Sequence, residues 1–453
     1  MSKRIKKIVK EAILIVGITF FLIFAFILPY LTDIPDIYLR NISILFLSAT
    51  LWVTNVIPPA VTGILIIAIT PLFNILSPEK TFSAFGNRAI FFLLSAFIMA
   101  SAVFKRGLAK KFSFYFLKFF SKTPFLLLSG VFSISFFLSL LIPEHATAAL
   151  LFPFLLQISH KIKNKKFQKF LFLSMGWGCV SGGIGTPLGG ARAPFAMGLY
   201  QENFGKVITF FEWTKYSFPP SFIFLLFGIL YIFLHSRSIP KESIEIEEID
   251  SSFKREEFKV LFIYLFAIIL WVFFSDKVDM AVTGLFACFL LFVFKVITWR
   301  DAQYYVNWGI IMMYGGAIVL GTSLYKSGTA EHISYNFLKI FIHKPFILLF
   351  LFLLLTLILT EFMSNVATCA LLLPIAYGFS NVFDPLFLTL FIAIASGLAF
   401  MLPFGSPSVA IAFSSGKYSI FESVKYSTPF FIIAPFVLYF SFKVIFNFTG
   451  VNL

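Results

Sequence analysis

Residues 360–374, Thr-Glu-Phe-Met-Ser-Asn-Val-Ala-Thr-Cys-Ala-Leu-Leu-Leu-Pro (TEFMSNVATCALLLP), place a cluster of polar side chains inside an apolar part of the chain. Their second half, ATCALLLP from Ala367 to Pro374, closely matches ATAALLFP from Ala146 to Pro153, 221 residues earlier. The same separation relates two further pairs of segments, AVTG at 60–63 and 281–284, and GLAKKFSFYFLKFF at 107–120 and GTAEHISYNFLKIF at 328–341. Three matches at one separation indicate two related halves rather than chance similarity between Phe- and Leu-rich helices.

The apolar character around these segments extends over nearly the whole chain. Of its 453 residues, 59% are hydrophobic and only 13% are charged, and the mean hydropathy is +0.93, outside the range of soluble globular domains. Several stretches approach the roughly 20 apolar residues that cross a bilayer, and none alternates with the period of a barrel strand. Among them are Ile13 to Leu31, Phe218 to Leu234, Val260 to Phe274 with its flanks, and Phe430 to Phe446. We therefore predict an all-α polytopic membrane protein.

The charged loops predict the orientation of the chain. Lys and Arg cluster at the N-terminus, in 105–122, in 161–169 and in 237–255, whereas 32–37 is acidic and contains neither. Because cytoplasmic loops carry the excess of basic residues, the N-terminus should be cytoplasmic, in the plasma (inner) membrane. This placement explains the net charge of +15 better than nucleic-acid binding does. The first apolar stretch is too long for a cleaved signal peptide and lacks an A-x-A-like site, so we interpret it as a retained helix.

A long hydrophilic stretch, residues 236–257, lies near the middle of the chain, and we predict that it is a cytoplasmic linker. We divide the chain into residues 1–38 with the first helix, a first repeat at 39–235, the linker, and a second repeat at 258–453. By the loop charges, 39–57 runs inward whereas 258–275 runs outward, so the repeats should be inverted. Inverted repeats are a common plan of secondary transporters, whose substrate binds where helices are interrupted.

Four apolar segments contain such interruptions, two in each half. Hairpin tips are predicted near 143–147 (PEHAT) and 363–368 (MSNVAT), and broken helices near 182–194 (GGIGTPLGGARAP) and 402–408 (LPFGSPS). Helix amino ends exposed at such breaks carry partial positive charge and favour anions.

The second-half segments resemble a known family. Residues 360–368 with Leu371-Leu372-Leu373-Pro374, and Phe400-Met401-Leu402-Pro403 followed by Gly405-Ser406-Pro407, resemble the Ser-Asn-Thr hairpin and the second broken helix of the divalent anion/sodium symporters. These are the INDY-like di- and tricarboxylate transporters of the ion transporter superfamily, and the likeness covers nearly all the chain. The resemblance implies a homodimer, about eleven transmembrane helices plus two re-entrant hairpins, scaffold and transport domains, and elevator-type transport of a small divalent anion.

The resemblance also implies site residues. A sodium ion would bind at Thr360, Met363, Asn365 and Gly405, where hydroxyl, amide and carbonyl oxygens suit a hard cation. Helix capping by Ser364 and Asn365 is the plainer alternative. The first-half ion-binding or coupling positions would be Ser139, Glu144 and Gly189. The predicted substrate residues are His145, Thr147, Gly190, Arg192, Ser364, Asn365, Val366 and Ser406.

The first half departs from the family pattern. Pro143-Glu144-His145 stands in place of Ser-Asn-Thr, and 189–193 (GGARA) in place of a Gly-Ser-Pro-Pro-Asn type of break. Ionisable side chains at membrane depth are costly and need a role or a partner. Glu144 and His145 could carry protons that replace or supplement a sodium ion. Alternatively, Arg192 replaces a sodium ion, giving a cation-independent exchanger or uniporter, or Glu144 and Arg192 form a purely structural ion pair.

Other classes of protein have less support from the sequence. No nucleophile elbow, HExxH, P-loop or long extramembrane domain points to an enzyme. A channel would also contain polar breaks at the midplane. Arsenite or a citrate–metal complex is an alternative cargo. The three cysteines, Cys179, Cys288 and Cys369, lie in apolar segments without metal-ligand spacing, so no cofactor beyond a coupling sodium ion is predicted.

Overall fold

The structure is a computed structural model that describes residues 3–162, 164–237, 239, 254–275, 277–341, 345–403 and 405–449. Within these ranges every regular element is a helix, which confirms the all-α prediction. Most of the predicted linker, residues 240–253, lies outside the described residues.

The first half of the chain forms eleven of the described α-helices. A π-helical turn (Ile23–Ile27) and a 3₁₀ turn (Leu28–Tyr30) follow the first of them. The helices are α1 (Lys3–Leu22), α2 (Asp36–Thr54), α3 (Pro59–Leu72), α4 (Pro78–Phe85), α5 (Arg88–Lys105), α6 (Leu108–Phe119), α7 (Pro124–Leu141), α8 (Glu144–Lys161), α9 (Lys165–Gly183), α10 (Arg192–Phe204) and α11 (Phe210–Ser236).

The second half of the chain forms the other ten described α-helices. Its helices are α12 (Arg255–Phe273), α13 (Met280–Val293), α14 (Trp299–Tyr305), α15 (Trp308–Lys326), α16 (Thr329–Phe341), α17 (Pro345–Phe362), α18 (Asn365–Tyr377), α19 (Pro385–Ala395), α20 (Pro407–Ser414) and α21 (Ile420–Thr449).

Seven helical stretches in the described residues are long and apolar enough to cross a membrane. They are Glu11–Tyr30, Asp36–Thr54, Pro78–Lys105, Pro124–Leu141, Phe210–Ser236, Trp308–Lys326 and Ile420–Val444. Five shorter apolar helices are Pro59–Leu72, Met280–Val293, Phe346–Phe362, Asn365–Tyr377 and Pro385–Ala395. Length and composition support a multi-pass protein, while the total of eleven crossings stays a prediction.

Helix boundaries recur at the separation seen in the sequence. Helix α13 begins and ends 221 residues after α3, α17 does so relative to α7, and α18 begins 221 residues after α8. Proline occupies the first position of both α7 and α17, where its fixed φ suits a helix start and no amide hydrogen is needed. The opposite orientation of the two halves stays a prediction.

The repeated AVTG segments explain two close helix crossings. A Cβ atom on Gly63 of α3 would lie 2.6 Å from the carbonyl oxygen of Met312 in α15. A Cβ atom on the matching Gly284 of α13 would lie 2.8 Å from Ser95 Cβ in α5. Small residues let membrane helices approach backbone to backbone, so each glycine fixes the position of the long helix next to it.

Ion pairs connect the halves at the carboxyl end of α5, in a loop predicted to be cytoplasmic. Lys105 pairs with Asp301 of α14, and Lys111 Nζ lies 2.7 Å from Glu257 Oε1 at the start of α12. The hydrogen bond from Lys105, helped by Thr298, lowers the pKa of Asp301 to about 2. Arg106 donates to the carbonyl oxygen of Val296 as well. These contacts hold α5 and α6 against α12–α14.

Candidate functional site

Four helices begin at the interruptions predicted from the sequence. They are α8 at Glu144, α10 at Arg192, α18 at Asn365 and α20 at Pro407. Ser364 caps α18 by accepting a hydrogen bond from Ala367 N at 3.2 Å, and Pro143 precedes α8. The irregular segments before α10 and α20 are residues 184–191 and, among the described residues, 396–403 with 405–406. The second therefore starts earlier than the predicted 402.

These helix starts line one cavity of about 390 Å³. Two further helices close it from the other side, α3 with Pro58, Pro59 and Ala60, and α15 with Asn307, Gly309, Ile310 and Met313. Six helix amino ends therefore border one space. The positive ends of their helix dipoles favour a negatively charged ligand there.

Glu144 joins the two halves at the base of the cavity. Its Oε1 accepts from Ser406 Oγ at 3.0 Å and lies 3.4 Å from the Asn365 amide, 221 residues along the chain. Its backbone N–H donates to Gly189 O at 2.9 Å. Its Oε2 faces Gly183 and has no hydrogen-bond partner among the described residues, although the side chain is only 3% exposed. The carboxyl group thus keeps one acceptor atom available inside the protein.

Oxygen atoms converge on the other end of the Asn365 amide. One terminal atom of that amide lies 2.9 Å from Thr360 Oγ1, 3.0 Å from Gly405 O and 3.2 Å from Ser396 O. If this atom is nitrogen, it donates to these oxygens. If it is oxygen, it accepts from Thr360 Oγ1 but also faces two carbonyl oxygens that cannot donate, an arrangement that a bound cation would stabilise. Oxygen-only ligands suit a hard cation such as sodium.

Arg192 is held by glycines rather than by an acid. Its Nη2 donates to Gly183 O at 2.7 Å, and Cβ atoms on Gly190 or Gly397 would overlap the guanidinium. The side chain is 2% exposed, and part of it lines the cavity. Within the described residues it makes no direct ion pair with Glu144, so the structural ion pair considered from the sequence is not formed. The guanidinium instead donates a hydrogen bond to the carbonyl oxygen of Gly183.

Most of the predicted substrate residues meet at the cavity. His145, Gly190, Arg192, Ser364, Asn365 and Val366 line it, and Ser406 lies behind Glu144. Thr147 is fully buried, and its Oγ1 has no hydrogen-bond partner in the described structure.

The predicted ion-binding residues form two groups. Thr360, Asn365 and Gly405 share the oxygen cluster, and Met363 is buried in the turn between α17 and α18. In the first half, a Cβ atom on Gly189 would lie 2.6 Å from Ser139 O, so Ser139, Gly189 and Glu144 are neighbours.

Glu361 is a site residue that the sequence reasoning passed over. Its buried carboxylate accepts hydrogen bonds from the backbone amides of Phe400, Met401 and Leu402, at 2.7–3.0 Å. It therefore holds the irregular segment that leads to Gly405. The sequence does contain a signal for this role: Glu361 is an acidic residue inside an apolar stretch, and a charged side chain there needs a partner.

Comparison with known proteins now identifies the family. A family model described as citrate transporter matches residues 49–384 and 271–449. The chain belongs to the citrate transporter family. It is an integral multi-pass membrane transporter and not an enzyme, as the sequence predicted, and the resemblance to di- and tricarboxylate transporters is confirmed.

Individual relatives agree with the family. This transporter is 29% identical over 411 residues to the sodium-dependent dicarboxylate transporter SdcS of Staphylococcus saprophyticus, covering 82% of the chain and 79% of the relative. It is 31% identical over 397 residues to an uncharacterized transporter of Methanocaldococcus jannaschii, covering 85% and 89%. The crystal structure of the Alcanivorax borkumensis YdaH transporter matches with a TM-score of 0.57 at 12% identity, covering 92% of this chain and 98% of that one. That likeness concerns the fold alone.

Proposed function

We propose that this transporter carries a small dicarboxylate-like anion across the plasma membrane, coupled to sodium, by elevator-type alternating access of a homodimer with cytoplasmic N-termini. The observation that carries the proposal is the cavity at which six helix amino ends and Arg192 meet, directly beside the oxygen cluster at Asn365. Sodium-dependent dicarboxylate transporters are among the relatives of the chain, which supports both the cargo and the ion.

The lining of the cavity suits a short dicarboxylate. Helix amino ends and the Arg192 guanidinium attract carboxylate groups, and the guanidinium can donate in fork geometry. Val366, Ile310 and Met313 add apolar surface between them, which fits a carbon chain. A fully hydrated inorganic oxyanion would leave this surface uncovered. Dicarboxylates are therefore the favoured cargo.

The Asn365 amide offers a mechanism for sodium coupling. With sodium in the cluster, the amide oxygen faces the ion and the nitrogen donates to Glu144 Oε1. Without sodium, the nitrogen turns to the carbonyl oxygens and the amide oxygen faces Glu144, where two acceptors repel each other. Sodium binding therefore strengthens the contact between the two halves at the site where the anion binds.

A second candidate function is cation-independent exchange, and the position of Arg192 favours it. The guanidinium donates to Gly183 O, and the Gly183 and Ser139 carbonyls lie beside Gly189. A permanent cation is thus built into the first-half site. Exchange would then require substrate on both sides but no ion gradient.

Uptake into proteoliposomes tests both functions. Radiolabelled succinate, malate, citrate, sulfate and phosphate are offered under an inward sodium gradient, with choline in place of sodium as the control and empty liposomes as the blank. We expect accumulation of a dicarboxylate only with sodium. Equal uptake in choline, dependent on preloaded dicarboxylate, would replace symport by exchange. No uptake of any of these anions would refute the proposed cargo class.

A further inference from the structure

The wall of the cavity opposite the hairpin tips has a counterpart elsewhere in the molecule. It is formed at the starts of α3 and α15 by Pro58, Pro59, Ala60, Gly309, Ile310 and Met313. Each of these residues has a counterpart 221 positions away in the other half of the chain. The counterparts, in the same order, are Asp279, Met280, Ala281, Arg88, Ala89 and Phe92. These six residues line a second pocket together, at the starts of α13 and α5. The two pockets therefore have equivalent walls; we call them the first wall and the second wall.

The second wall is covered by the helix that borders the cavity. Helix α10 begins with Arg192 in the cavity, and its next turns place Pro194, Met197 and Gly198 on the second wall. Asn87 Nδ2 donates to Gly198 O at 3.2 Å, and a Cβ atom on Gly198 would lie 2.6 Å from Ala89 Cβ. The remaining space is about 30 Å³, room for about one water molecule. The first wall therefore lines the open cavity, whereas α10 covers the second wall.

The second wall is charged where the first is not. Asp279 replaces Pro58, Arg88 replaces Gly309, and Arg88 Nη1 lies 2.7 Å from Asp279 Oδ2. The Arg88 side chain is 47% exposed and borders a wider opening of about 480 Å³ that Lys277 also lines. Such an exposed ion pair adds little stability, and Asp279 already caps α13 through Ala281 N. Folding alone does not account for Arg88.

We propose that the second wall faces the substrate site when the transporter is open to the opposite side of the membrane, and that Arg88 recognises the anionic substrate there. This inference rests on the proposed anion transport. Because the first wall contributes no charged side chain to the cavity, the two faces of the carrier should differ in affinity. The affinity for the anion should be higher on the side of the membrane where Arg88 faces the substrate.

Matched cysteine variants test the placement of the wall. Ile310→Cys and Ala89→Cys occupy equivalent positions of the two walls, in a background with Cys179, Cys288 and Cys369 replaced by alanine. Labelling by a membrane-impermeant maleimide is measured from each side of oriented vesicles, after each variant is shown to take up succinate. We expect the two cysteines to be labelled from opposite sides.

Adding Gly198→Leu, which prevents the close contact of α10 with the second wall, should increase labelling of Ala89→Cys and decrease that of Ile310→Cys. Labelling of both from one side, or none at Ala89→Cys in a transporting variant, would overturn the proposal.

Arg88→Gln tests the recognition step, with Asp279→Asn as its comparator. We expect Arg88→Gln to raise KM for the anion about three- to tenfold on the Arg88 face only, with kcat retained, as loss of one partly exposed charge-assisted contact predicts. Asp279→Asn leaves Arg88 available and should not raise that KM. Equal effects of both variants, or equal effects on both faces, would show a structural ion pair and sink this inference while leaving anion transport intact. Absence of succinate uptake by the unaltered protein would instead refute the proposed function.

Discussion

Replacing Glu361 by glutamine should damage the proposed sodium site without unfolding the protein. The Glu361 carboxylate receives Phe400 N at 2.9 Å and Met401 N at 3.0 Å on Oε1, and Met401 N at 3.0 Å and Leu402 N at 2.7 Å on Oε2. A glutamine amide keeps one acceptor oxygen and points an NH₂ group at a backbone N–H. One buried amide hydrogen then loses its partner and the others lose a charged acceptor.

The structure sets the size of this effect. An unsatisfied buried donor costs about 1–3 kcal/mol, and hydrogen bonds to a charged group contribute about 1.5–3 kcal/mol. Together they give a local penalty of about 2.5–6 kcal/mol, which should displace the segment that carries the Ser396 and Gly405 carbonyls of the oxygen cluster. A shift of even 1.4 kcal/mol in sodium binding is tenfold in affinity.

The assay is the sodium dependence of succinate uptake together with the thermal stability of the detergent-purified protein. We expect Glu361→Gln to raise the sodium concentration at half-maximal uptake at least tenfold, while the size-exclusion profile is retained. Glu202→Gln is the control, since Glu202 pairs with Lys326 at the surface and such pairs contribute little. An unchanged sodium dependence in Glu361→Gln would refute the idea that this carboxylate positions the cation site.

Three further substitutions have defined outcomes. Asn365→Ala should abolish uptake in the reconstituted assay while the folded oligomer is retained, because Asn365 borders both the oxygen cluster and the cavity; wild-type uptake would refute this assignment. Gly397→Ala should reduce uptake more than tenfold by displacing the Arg192 guanidinium, whereas Gly176→Ala, whose Cβ would have ordinary contacts at 3.5 Å, should not; equal uptake by the two variants would contradict the role of Gly397. Arg192→Lys should weaken succinate binding in a thermal-shift titration, since a lysine lacks the fork geometry, and an unchanged affinity would exclude Arg192 from the site.

The sequence located the interruptions that line the cavity because polar residues at membrane depth are unusual. Proline, charged residues and Ser-Asn pairs inside apolar runs correctly marked the starts of α8, α10, α18 and α20. The separation of 221 residues between matching sequence segments also relates α3 to α13 and α7 to α17. It could not show the second break beginning at Ser396, because that segment looks like ordinary apolar helix until Pro403 and is held open by a distant carboxylate.

The first wall could not be predicted from the sequence either. Pro58, Pro59 and Gly309 have no chemistry that marks a binding site, and only packing shows that they face the hairpin tips. The partner of Arg192 could not be predicted either. The sequence left an ion pair with Glu144 as one of three alternatives, whereas the structure shows the guanidinium donating to the carbonyl oxygen of Gly183.

The fixed position of Arg192 has an electrical consequence. In the proposed elevator transport, Arg192 and an ionised Glu144 would move together, and their opposite charges would cancel. If the oxygen cluster carries one sodium ion with one dianion, each cycle displaces one net negative charge. A negative interior potential opposes its entry by about 2.3 kcal/mol per 100 mV. We therefore expect uptake to slow when the vesicle interior is made negative, and a current to accompany transport whose sign reports whether fewer or more than two sodium ions travel with each dianion.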